Sequence, residues 1–139
     1  MIRRAIFSDD RRYRYMLYVE WDASLPKVSS IGMNPSIADE NRSDPTITKE
    51  INYAKAWGAG SFMKLNLFGV ISSDPRILSQ ASDPIGDMNT PEFIAKHCDG
   101  SLFTVAAWGD YRKYASKTHR YRWLDVAEAH PESHVPEGR

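Results

Sequence analysis

The sequence predicts a single α/β domain over residues 1–139, built on a sheet whose central strands run parallel. Three observations carry that prediction. Short runs of β-forming residues alternate with helical patterns along the chain. Two of the runs, 61–70 and 101–109, are nearly continuous in apolar residues, as strands covered on both faces are. No low-complexity segment or linker divides the chain, and 139 residues suffice to bury roughly two-thirds of the unfolded surface around one core.

The elements follow in order. "YRYMLYVEW" (13–21) alternates and is rich in β-formers, and "KVSSIGM" (27–33) is a second strand reached through the turn "DASLP". From Asp44 onward, Ile47, Ile51, Ala54 and Trp57 fall on one helical face, with Asp44 suited to the N-cap and Pro45 to the first helical position. Gly58 and Gly60 end that helix. "SFMKLNLFGV" (61–70) and "SLFTVAAWG" (101–109) are strands, and "DPRILSQA" and "TPEFIAKHC" between them read as helices from their caps and patterns. Ser-Asp-Pro occurs at 43–45, 73–75 and 82–84, and its unequal spacing rules out a structural repeat. A capping or turn role explains each copy, because an aspartate accepts from free amides and proline lacks one.

Composition limits the function. Eighteen basic and eighteen acidic side chains give no global field, so any nucleic-acid role must rest on a local patch. The single Cys98 can form neither an internal disulfide nor a thiolate metal site, and the expectation is a protein without metal or cofactor. The N-terminus has arginines but no apolar segment of signal or membrane length, so a soluble, cytoplasmic chain without a membrane partner is expected. Nothing in the sequence sets the oligomeric state.

In an open parallel sheet, ligands bind outside the carboxyl ends of the strands. Three polar marks fall there: Asn34 after "SSIGM", Asn66 within "MKLNLF", and Gly109-Asp110 after "TVAAW". One strand-end asparagine is often only a turn former. Two of them and a glycine at successive strand ends point to a shared pocket, without saying what it binds.

"GMNPS" (32–36) resembles the first motif of the uracil-DNA glycosylase superfamily, a Gly-x-Asp/Asn-Pro loop that positions the attacking water. "KLNLF" (64–68) resembles its base-reading strand, "VAAWGDYRKYA" (105–115) its Trp-Gly strand-to-helix segment, and "EAHPES" (128–133) its His-Pro-Ser motif. "MNPSIADENRSDPT" (33–46) also closely resembles a bacterial and phage family of unknown function that carries an Asn-Pro-Ser-x-Ala-Asp-Glu signature. The glycosylase resemblance implies a three-layer sandwich with a mostly parallel central sheet. It also implies catalytic roles for Asn34, holding the water, and His130, donating to the departing base. The substrate would be contacted by Gly32, Met33, Pro35, Ser36, Asn66, Phe68, Trp108 and Gly109. That chemistry is coherent, because breaking an N-glycosidic bond leaves positive charge on the sugar and negative charge on the base. An asparagine cannot take up a proton as an aspartate can, which implies a slower or more selective enzyme. Only nine residues, "PESHVPEGR", follow His130, where the glycosylases carry a loop that pushes an apolar side chain into the duplex. The tail therefore reads as divergent or truncated, and a surface histidine before proline is the competing account of His130.

"YRKYASKTHRYRW" (111–123) sets Arg112, Lys113, Lys117, Arg120 and Arg122 among four aromatic rings without an acidic residue. Such a segment is either a platform for single-stranded nucleic acid or an amphipathic helix with buried rings. Asp39, Glu40 and Asp44 either hold a divalent cation or cap and solvate the start of a helix. Two functions remain. One is an N-glycosylase-like hydrolase acting on a modified pyrimidine in DNA, with a flipped or single-stranded base, or in a nucleotide. The other is a catalytically silent nucleic-acid- or partner-binding module on the same fold.

Overall fold

The computed structural model describes residues 1–129. His130 and the tail after it lie outside the described residues. The fold is mixed α/β: a five-stranded sheet and four helices, in the order β1 (Ile2–Phe7), β2 (Arg14–Glu20), β3 (Lys27–Gly32), α1 (Pro45–Ala56), β4 (Ser61–Asn66), α2 (Ile77–Gln80), α3 (Pro91–Cys98), β5 (Thr104–Ala107) and α4 (Arg122–Ala129). Across the sheet the strands run β1-β2-β4-β3-β5. β3 pairs in parallel with both β4 and β5, whereas the β1-β2 hairpin joins β4 antiparallel. The sheet is thus evenly mixed rather than mostly parallel. The reason is β1, which the sequence reading left out: its arginines mask a short edge strand.

Alternation along the strands separates two cores. Phe62 of β4, with Leu17, Val19 and Val28, meets Ile47, Ile51 and Ala54 of α1. Met63 and Leu65, with Met16, Ile31 and Ala106, meet Ile94 and Cys98 of α3 and Val126 of α4. A two-residue period places neighbours on opposite faces, so β4 is buried along its whole length. Burial in this second core pushes the Cys98 thiol up to about 11, leaving it protonated at neutral pH.

The caps fall where the residue types require them. Asp44 Oδ1 accepts from Ile47 N at 2.8 Å, with Pro45 in the first turn of α1. Gly58, at φ +86°, ends that helix in the left-handed conformation. The other Ser-Asp-Pro aspartates close turns, Asp74 accepting from Arg76 N and Asp83 from Ile85 N and Gly86 N. Thr90 caps α3 through Phe93 N. Trp57 departs from its predicted buried face, standing exposed at the end of α1 and stacked on Tyr53. β4 stops at Asn66 rather than at 70, because the chain turns there and Leu67 N and Phe68 N bond Gly32 O and Met33 O.

The basic segment does not form one helix. It makes two 3-10 turns, Tyr111–Lys113 and Lys117–His119, before α4 begins. Tyr111 is buried, its hydroxyl donating to Arg120 O and accepting from Trp123 N. Tyr114 and Trp123 are half-buried, which leaves Tyr121 as the exposed ring of the four. Arg122 faces inward, donating to Leu67 O and to Asn89 O. It is therefore not free to meet a phosphate, a correction to its expected nucleic-acid role. Arg112, Lys113, Lys117 and Arg120 are exposed, Arg112 lying 3.6 Å from Asp110.

Arg122→Ala should destabilise the fold by about 1.5–3 kcal/mol, the range for hydrogen bonds made by a charged group. Arg120→Ala, at an exposed position, should stay within about 0.5 kcal/mol of wild type. Urea unfolding of both variants decides it, and equal midpoints would return Arg122 to the surface.

Candidate functional site

The register aligns three strand ends. Gly32 of β3 lies opposite Asn66 of β4 on one side and Ala107 of β5 on the other. All three line a cavity of about 380 Å³ at the carboxyl edge of the parallel strands. Its other walls come from the loop after β3 (Met33, Asn34, Pro35 and Ser36), the start of α1 (Asp44, Thr46, Ile47) and the loop after β4 (Ser72, Ser73, Pro75).

Asn34 ties these loops together. Its side-chain Nδ2 donates to Val70 O at 3.2 Å and Ser72 O at 3.0 Å, with a longer contact to Pro35 O. Carbonyls on that side fix the amide orientation, since only the NH2 end can donate to them. The Oδ1 end is left as an acceptor.

Asn66 is 2% exposed and its side-chain Oδ1 has no hydrogen-bond partner. A buried carbonyl oxygen without a partner is uncommon in a folded protein. Asn66 is steadied from behind. Asn89 donates to the carbonyls of Asn66 and Leu67, and Arg122 bonds Leu67 O and Asn89 O. Gly32 makes the space, since a Cβ there would come within 2.7 Å of Asn66 Oδ1 and 2.9 Å of Lys64 Nζ.

Two buried cations also line the cavity, and the sequence reading named neither. Lys64 Nζ donates to both Glu50 carboxylate oxygens, at 2.8 and 3.0 Å, and to Ser30 Oγ at 3.1 Å. Burial lowers its pKa against the opposing pull of Glu50. Arg14 is 2% exposed; Nη1 donates to Ala38 O at 2.7 Å, and Nε has no partner. Burial brings its pKa down to about 10, with Asp44, Glu50 and Asp39 holding it up, so it stays charged at neutral pH. Arg14 reaches this side through an irregularity in the hairpin: Ile6 faces Met16 and the next residue, Phe7, faces Arg14, so Tyr15 is skipped. A bulge of this kind re-aims the side chain beside it. An arginine inside an alternating strand otherwise reads as a solvent-facing residue.

The remaining expected contacts lie elsewhere. Phe68 and Trp108 are core residues rather than cavity walls, Phe68 packed on Tyr111 and His119, Trp108 on Trp123. Their size and apolarity explain the placement, because a Trp-Gly or Leu-Phe strand end can turn its ring inward as readily as toward a ligand. Gly109 is exposed at φ +58°, a turn position beyond β5. The exposed cations of 111–123 are not among the cavity walls.

The acidic string is dispersed among separate tasks. Asp39 accepts from Asn41 N and Arg42 N, Glu40 pairs with Arg11 at 3.0 Å, and Asp44 caps α1. Among the described residues, no group of three or more His, Cys, Asp or Glu side chains is placed to hold a metal ion. Nor is any described helix long and apolar enough to cross a membrane.

The family described as "Protein of unknown function (DUF1643)" matches residues 14–136. No curated protein and no solved structure matches the chain.

Two substitutions test this geometry. Gly32→Ala should displace Asn66 and Lys64 and lower the melting temperature by several degrees, roughly what 1–3 kcal/mol of overpacking produces. Asn34→Asp should destabilise by about 1–3 kcal/mol, because a carboxylate cannot donate to Val70 O and Ser72 O and would face them as a like-signed group. Differential scanning calorimetry reads both; melting temperatures unchanged from wild type would show that neither constraint operates.

Proposed function

Because the chain belongs to the DUF1643 family, of unknown function, we propose from the cavity itself that it is an N-glycosidase-type hydrolase acting on a pyrimidine nucleotide or on a pyrimidine in DNA. One observation carries the proposal: Asn34 and Asn66 line the same cavity, and among the described residues no hydrogen bond engages either side-chain oxygen. Asn66 Oδ1 is an acceptor for the ring N–H or exocyclic amine on a pyrimidine's amide edge. Asn34 Oδ1, held by the bonds of its NH2 group, is an acceptor for a water aimed at the sugar carbon. In the step proposed, that water attacks the anomeric carbon, the C–N bond breaks, and the bonding electrons leave with the base. The water's proton is lost to solvent or to the departing base.

The finer fold reading belongs with this proposal. A three-layer arrangement like that of the uracil-DNA glycosylases is supported by the two cores, one closed by α1 and the other by α3 and α4. The ordered motifs around Asn34 and Asn66 support it too. The Asn-Pro-Ser-x-Ala-Asp-Glu signature spans Asn34 to Glu40, the loop that Asn34 clamps. The role read for His130 falls outside the described residues and carries nothing here.

The test is base release. Wild type is incubated with pyrimidine mononucleotides and with oligonucleotides carrying uracil or modified pyrimidines, and free base and abasic sites are quantified. Asn34→Ala should slow release by on the order of a hundredfold, well beyond the loss of ligand affinity that follows from releasing its clamp on Val70 O and Ser72 O, with thermal melting checking the fold. If wild type releases no base from any of these substrates, the hydrolase gives way to a binding module on the same fold.

A further inference from the structure

We propose that the cavity takes a whole pyrimidine nucleoside 5′-monophosphate, with Asn66 on the base and the Arg14 guanidinium on the phosphate, rather than a base flipped out of a nucleic-acid chain. The proposal rests on the reading of Asn66 as the base-edge acceptor and adds the phosphate site and the size of the substrate.

The argument turns on where the cations are. A reader of a nucleic-acid strand needs several cations tracking successive phosphates outside the base pocket. Here Arg122 is turned into the core and a single aromatic ring of 111–123 stands exposed, so the segment lacks the stacking surface that a strand reader sets beside its cations. Two further cations lie inside the cavity. Lys64 is engaged by Glu50 and Ser30. Arg14 bonds one backbone carbonyl, keeps an unpartnered Nε, and makes no ion pair with a carboxylate within 4 Å among the described residues. A guanidinium presents its donors as a fork that matches phosphate oxygens.

Other walls of the cavity offer groups for a sugar. Ser36, Thr46 and Ser73 bring hydroxyls, and Asp44 brings a carboxylate of which Oδ1 is engaged by Ile47 N. A carboxylate accepts from a free sugar hydroxyl, and the Arg14 charge on which Asp44 acts offsets its repulsion of a bound phosphate. The cavity volume, about 380 Å³, lies at the small end of the range for single-ligand pockets.

The experiment is isothermal titration of the full chain with deoxyuridine, deoxycytidine and thymidine 5′-monophosphates, with the parent nucleosides, with inorganic phosphate, and with a short single strand carrying the same bases. At least one monophosphate should bind about tenfold or more tighter than its nucleoside, and the strand should bind no tighter than the nucleoside. Arg14→Gln should bring the monophosphate down to nucleoside affinity while leaving nucleoside binding unchanged. Thermal melting checks that variant, and the wild-type comparison stands without it if it fails to fold. Equal affinity for nucleoside and monophosphate, tighter binding of the strand, or no binding by any of them would overturn the proposal. Base release is measured on the same samples. Monophosphates bound without release remove the hydrolase and keep the site, whereas release from the strand without monophosphate binding removes the site and keeps the hydrolase.

Discussion

A lysine ammonium on the central strand of a sheet must find a counter-charge, and the pairing of Lys64 with Glu50 is the constraint around which this fold is arranged. Losing one partner of such a buried pair destabilises a protein by about 3–5 kcal/mol, more than most surface changes together. Satisfying Lys64 fixes three elements at once. α1 must dock with Glu50 facing β4, β3 must lie parallel to β4 so that Ser30 is opposite Lys64, and Gly32 must lack a side chain two residues further along. The same face of β4 then delivers Asn66 to the cavity, one strand repeat beyond the lysine. The floor of the candidate site is thus a by-product of the pairing that holds α1, β3 and β4 in register.

Above that floor, the cavity is kept polar by geometry that opposes its filling. The bulge at Tyr15 aims Arg14 inward, the Asn34 clamp holds the loops after β3 and β4 against each other, and Asn89 with Arg122 supports the chain leaving β4. Each device satisfies backbone carbonyls with side-chain donors, in a region where the sheet ladder has ended and carbonyls would otherwise be orphaned. Among the described residues, two buried acceptors, Asn66 Oδ1 and Asn89 Oδ1, and two guanidinium nitrogens, Arg3 Nε and Arg14 Nε, are left facing the opposite problem, and of these Asn66 and Arg14 line the cavity. A ligand with both donor and acceptor groups would resolve it.

Much of this was legible in the sequence where local chemistry decides structure. The N-caps Asp44 and Thr90, the buried stripe Ile47, Ile51 and Ala54, and the strand-end rule that brings Asn34 and Asn66 together all follow from short-range periodicity. What escaped depends on non-local facts. Lys64 sits inside an apolar run, and nothing before Glu50 is placed opposite says that it is buried with a partner. Arg14 looks solvent-facing until the bulge is known. Arg122 is one cation among five, and only the orphaned carbonyl at Leu67 singles it out. Phe68 and Trp108 show the converse error: an apolar ring beside a motif is more often core than contact, and both went to the core.

If the proposed hydrolysis holds, the asparagine at 34 meets two tasks, of which the clamp is the one seen in the structure. A water-holding group at the mouth of the β3 loop needs an acceptor, which aspartate, glutamate or asparagine can supply. Clamping that loop to Val70 and Ser72 needs a donor on the same side chain, with a reach of one methylene. Only asparagine meets both requirements at that length. The loss of a proton acceptor, relative to an aspartate, is therefore coupled to the order of the cavity wall, and a carboxylate here would trade a fixed water site for a stronger base in a looser loop. A nearby carboxylate already exists in Asp44, held as a cap and lining the same cavity. Under the proposed hydrolysis, basicity and loop order need not reside in one residue, and the amide at 34 would serve as the positioning group.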